Sequence, residues 1–107
     1  MNDFLIKVER DSVCMGDDAD APHAYSFSAL GTTRLDEIFE HLARQHYLAS
    51  VAGKNHSWDA IIGNEILTRF EGNSQIPEPS STLSTPVSTY AIDSVVHIYF
   101  QYNSASN

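Results

Sequence analysis

The chain opens on an alternation. In Phe4-Leu5-Ile6-Lys7-Val8-Glu9, Phe4, Ile6 and Val8 share one side, Lys7 and Glu9 take the other, and Leu5 is irregular. A period of two predicts a half-buried strand. The polar, acidic stretch from Asp11 to Pro22 reads as a loop, and Ala24–Ser28 as a second strand with Tyr25 and Phe27 on one side. The period then changes. Leu35, Ile38, Phe39, Leu42 and Ala43 fall at helical spacing and make one apolar stripe. Thr33 is the expected N-cap, Asp36 and Glu37 suit the positive end of the helix dipole, and Glu40 and Arg44 form an i,i+4 pair. A helix of about 14 residues fits this pattern.

His56–Ile62 and Glu65–Phe70 predict two strands joined at Gly63-Asn64, a two-residue hairpin signal. With that loop, Ile61 is expected opposite Ile66, Ala60 opposite Leu67, and Trp58 opposite Arg69 as a cation–π pair. Both faces of the hairpin carry apolar groups, so both are expected to be partly covered. Residues 72–90 are rich in Ser, Thr and Pro and too long for an ordinary connector, so they form either a mobile loop or a crossover over the surface. The last strand, Ser94–Tyr102, has the strongest signal. Val96, Ile98, Phe100 and Tyr102 line one face and Val95, His97, Tyr99 and Gln101 the other, as in a central strand. Residues 103–107 read as a flexible tail. The order β-β-α-β-β-β predicts a single α+β domain over residues 1–107. Its sheet is about five-stranded and mostly antiparallel, with one helix packed on one face. That helix leaves the other face of the sheet open to a partner.

Charge narrows the choice of partner. Fourteen Asp and Glu against six Lys and Arg give −8 at pH 7. A phosphate backbone or an anionic membrane would repel such a chain, so neither is expected as a partner. A basic protein would attract it. One cysteine, Cys14, excludes an internal disulfide and a Cys-based zinc finger. The apolar runs are too short to span a membrane, and the start carries no basic segment of a signal peptide, so a cytoplasmic protein is expected.

The densest charge is Asp17-Asp18-Ala19-Asp20, close to His23. It lacks the Gly and Glu positions of an EF-hand. The remaining readings are a solvated acidic loop, a divalent-cation site, and a recognition loop for a cationic groove. Cys14 beside His23 is a poor nucleophile pair, because the nearby aspartates raise the thiol pKa. His41 reads as a surface partner of Glu37, and His97 as a strand histidine. The HExxH, P-loop, GxGxxG and GxSxG patterns are absent. No catalytic residue, metal ligand or cofactor is assigned, and the chain is read as a non-enzyme. Tyr25, Tyr47, Trp58, Tyr90, Tyr99 and Tyr102 are amphipathic aromatics of the kind that anchor interfaces. The candidate partner-binding set is Asp17, Asp18, Asp20, Glu37, Glu40, Trp58 and Tyr99.

The run Lys7-Val8-Glu9-Arg10-Asp11-Ser12-Val13-Cys14-Met15-Gly16-Asp17-Asp18-Ala19-Asp20-Ala21-Pro22-His23 resembles the start of a family of small bacterial proteins. Tyr47-Leu48-Ala49-Ser50-Val51-Ala52-Gly53, followed by Trp58, resembles it too. The family is associated with immunity proteins of contact-dependent growth inhibition and related polymorphic toxin systems. The likeness covers residues 4 to about 60. It implies a protein that binds and neutralises a cognate toxin domain. An acidic surface would suit a basic nuclease. Two other readings stand beside it: a non-catalytic module of a larger assembly, and a ligand-binding domain or small enzyme that uses a divalent cation.

Overall fold

The alternation seen in the sequence becomes a sheet with one dry face. The computed structural model describes residues 3–11, 24–45, 47–48, 56–72, 74 and 76–103. The strands are β1 (Asp3–Arg10), β2 (Ala24–Leu30), β3 (Ser57–Ile62), β4 (Glu65–Glu71) and β5 (Val95–Asn103), with helix α1 (Leu35–Arg44) between β2 and β3. They form one five-stranded sheet in the order β2-β1-β5-β3-β4. Every neighbouring pair is antiparallel except β1 and β5, which run parallel. This is the predicted α+β architecture, with β5 in the middle.

Ile6 and Val8 of β1, Val96, Ile98 and Phe100 of β5, and Trp58 and Ala60 of β3 are at most 1% exposed. They share the face that α1 covers with Leu35, Ile38, Phe39 and Leu42. Phe39, Phe70 and Phe100 meet edge to face, with ring centroids 5.3–6.1 Å apart. Burying each of these side chains stabilises the fold by about 1.5–3 kcal/mol.

The helix is shorter than its apolar pattern predicts, and its cap is different. The N-cap is Arg34, not Thr33. The reason lies elsewhere in the chain. Val87 N–H donates to the Thr33 carbonyl at 2.8 Å, and Leu35 N–H donates to the Thr85 carbonyl at 3.0 Å, so residues 33–35 pair with residues 85–87. Glu37 Oε1 then accepts from Arg34 N–H at 2.9 Å. At the other end, Tyr47 N–H reaches the Leu42 carbonyl (3.1 Å), and Tyr47 and Leu48 turn into the core.

The β3–β4 hairpin turns at Gly63-Asn64, where Gly63 takes φ +60°. Ile61 pairs with Ile66 as expected. The register then shifts: Ala60 pairs with Thr68 and Trp58 with Phe70. Leu67 is the extra residue of a bulge, and it is buried. The bulge overturns the expected Trp58–Arg69 pair, because Arg69 now lies opposite Asp59 on the outer face. Residues 76–91 are the crossover of the two alternatives. They carry 3₁₀ turns at Ser81–Ser84 and Val87–Tyr90, and they bury Val87 completely.

Candidate partner-binding surface

Two surfaces carry the polar chemistry, one on each side of the sheet. The first is a groove on the helix side, and its far wall is built by hydrogen bonds. Glu78 N–H donates to the Arg69 carbonyl (2.8 Å), Thr68 Oγ1 to the Glu78 carbonyl (2.7 Å), and Ser80 Oγ to the Leu67 carbonyl (3.0 Å). These bonds tie residues 78–80 along the open edge of β4. Pro77 and Pro79 fix φ in this extended segment. The wall faces α1 across a groove of about 450 Å³. Ile76, Pro77, Pro79 and Leu83 supply apolar lining, and Asp36, Glu37 and Glu40 stand on the helix side with Arg34. Ile76 is 76% exposed, a large apolar side chain left in water.

The rim charges are not equivalent. Arg34 grips Asp36 with two bonds, Nε to Oδ1 at 3.1 Å and Nη2 to Oδ2 at 2.9 Å. That contact holds the Asp36 carboxyl below its usual range and raises the guanidinium of Arg34 above its own. Glu37 spends one oxygen on the helix cap. Glu40 is exposed one turn further on. Three carboxylates against one guanidinium leave the rim negative.

The second surface is the outer face of the sheet, where the side chains bond to one another. Asp11 accepts from the Tyr99 hydroxyl and from Tyr102 N–H (2.8 Å). Asp59 Oδ1 accepts from Arg69 Nε at 2.9 Å, and Asp59 Oδ2 accepts from Asn103 Nδ2 at 3.1 Å. The carboxylate of Asp59 raises the pKa of Arg69. This row ties β1, β5, β3 and β4 together across the open face.

The predicted residues therefore divide. Glu37 and Glu40 border the groove. Tyr99 is exposed on the opposite face, bonded to Asp11. Asp17, Asp18 and Asp20 lie outside the described residues, as do Cys14 and His23. Trp58 is corrected. It is 1% exposed and packs edge to face on Tyr102 at 5.2 Å, so it belongs to the core and cannot contact a partner. His41 pairs with the Tyr25 hydroxyl (3.1 Å) and packs on the Phe27 ring (4.3 Å between centroids) rather than meeting Glu37. The groove's apolar wall was not read from the sequence. Its signal was Ile76-Pro77-Glu78-Pro79, an apolar residue at the start of a stiff, extended segment.

Among the described residues, no group of three or more His, Cys, Asp or Glu side chains could hold a metal ion. No described helix is long and apolar enough to cross a membrane. In comparisons with known proteins, the chain matches no protein-family model, no curated protein and no solved structure.

Proposed function

We propose that this chain is a binding protein of the immunity type, which captures and neutralises a basic toxin domain, a nuclease by its charge, in the cytoplasm. The observation that carries this reading is the groove, where an apolar wall faces an acidic rim. Glu37 and Glu40 would steer a cationic surface to it, and Ile76, Pro77 and Leu83 would bury that surface's apolar contacts. Charge at a rim acts mainly on the rate of capture, while apolar burial acts on residence time. Both matter to a protein that must intercept a toxin before it acts. The net charge of −8 adds long-range attraction to any basic partner.

The test is a calorimetric titration of the chain against the toxin domain encoded beside its gene, at low and at high salt. Nanomolar one-to-one binding that weakens with salt is the expected result. No binding, or no such neighbouring gene, would overturn the proposal.

A further inference from the structure

The two edges of the sheet are treated differently. The β4 edge is covered by residues 78–80, and the strand itself carries Glu65, Arg69 and Glu71. Charge, proline and a covering segment are the usual protections of a sheet edge. Among the described residues, none of these protects the β2 edge. Its sequence, Ala24-Tyr25-Ser26-Phe27-Ser28-Ala29-Leu30, contains no charged residue, proline or glycine.

The backbone geometry shows what that edge presents. Leu5 N–H donates to the Ser94 carbonyl (2.9 Å), and Asp11 N–H donates to the Phe100 carbonyl (3.0 Å). Alternate residues of β1 from Leu5 onward thus aim their backbone groups at β5, and Phe4, Ile6 and Val8 aim theirs at β2. The partners of those three are Ala29, Phe27 and Tyr25. By alternation, the N–H and C=O groups of Ala24, Ser26 and Ser28 point away from the sheet. Those of Ser26 and Ser28 make no hydrogen bond among the described residues.

We propose that this edge pairs with β2 of a second copy of the chain, antiparallel and centred on Phe27, to make a continuous ten-stranded sheet. The strand's own sequence selects a copy of itself. About Phe27, Ser26 falls opposite the partner's Ser28, Tyr25 opposite the partner's Ala29, and Leu30 opposite the partner's Ala24. Tyr25 and Leu30 each meet an alanine, Phe27 meets the partner's Phe27 as a cross-strand aromatic pair, and the residues with outward backbone groups face each other as hydrogen-bonded pairs. This register also covers apolar surface that the single chain leaves wet. Leu30 is 54% exposed, and Tyr25 and Phe27 are only half-buried at the rim of the core. The two-fold arrangement closes on itself, so pairing stops at two copies. Two chains of like charge repel, so added salt strengthens the dimer. Salt acts in the opposite direction on capture of a basic partner.

Sedimentation equilibrium, read with amide exchange on the full chain, tests this. From micromolar to submillimolar concentration the mass should rise from 11.9 kDa towards twice that value. The Ser26 and Ser28 amides should exchange about tenfold more slowly once nine-tenths of the chain is paired. Ser28→Pro removes one outward N–H and spares the bonds to β1, and the pair S26K/S28K places charge on the edge. Both variants should remain at the single-chain mass, with an unchanged circular dichroism spectrum and the melting point that the wild-type chain shows at low micromolar concentration, where it is unpaired. A wild-type chain that stays at 11.9 kDa throughout would overturn the proposal. So would variants that still pair, or protection of Ser26 and Ser28 only after a basic protein partner is added, which would assign the edge to a foreign strand.

Discussion

Trp58 and Tyr47 show how burial decides what an aromatic side chain does. The Trp58 indole N–H is buried with no hydrogen-bond partner among the described residues, so the residue contributes through its ring. Trp58→Phe removes that ring area without removing a hydrogen bond. We expect it to cost about 1–3 kcal/mol in urea unfolding and to leave affinity for a partner unchanged. A loss of affinity without a loss of stability would return Trp58 to the binding surface. Tyr47 is 4% exposed, and burial pushes its phenol well above the ordinary value. A raised folded-state pKa stabilises the protein fully below the unfolded value, near pH 10. That stabilisation is lost as pH rises further. Tyr90 acts in the same direction, because burial and the nearby Glu65 raise its pKa as well. Unfolding midpoints should therefore fall above about pH 10, and Tyr47→Phe should flatten the fall.

Helix α1 joins stability to the proposed surface, because Glu37 caps the helix and lines the groove at once. The two roles can be separated. Glu37→Gln removes the charge but keeps an oxygen able to accept from Arg34 N–H. Glu37→Ala removes both and should destabilise the fold by about 1 kcal/mol more than Glu37→Gln, measured by thermal unfolding. Equal melting points would show that the cap bond contributes nothing. The strands and the helix were legible because their periods are local: Val96, Ile98 and Phe100 alternate, and Leu35, Ile38, Phe39 and Leu42 repeat with the helical turn. Gly63-Asn64 marked the hairpin for the same reason. What failed depended on distant chain. Thr33 lost the cap because residues 85–87 engage residues 33–35. The β3–β4 register slipped at Leu67, beside Thr68, which bonds to Glu78 ten residues away.

In the whole molecule, the sheet divides the chemistry. One side holds the helix and the acidic groove, and the other holds a cross-strand row of Asp11, Asp59, Arg69 and Asn103 whose bonds are satisfied internally. The candidate site was therefore only half legible. Acidic residues on the exposed side of a helix can be read from spacing, and Glu37 and Glu40 lie there, beside the groove. The apolar wall opposite them exists only because residues 78–80 are tied to the edge of β4, which no local pattern reports. Trp58 was misassigned because alternation places it on one face of β3 without saying which face is covered. The division also separates two kinds of contact. The groove is the surface proposed for a partner of opposite charge, while the uncharged β2 edge lies on the far side of the sheet order from β4. A dimer through β2 would thus leave both grooves free.

The proposed function stands or falls with capture of a basic protein at the groove bordered by Glu37 and Glu40. The most direct measurement compares the wild-type chain with the E37Q/E40Q variant, titrated against the neighbouring toxin domain at low and at high salt. Binding should be about tenfold weaker for the variant at low salt, with the two chains converging at high salt. Superimposable isotherms at both salt concentrations would contradict it.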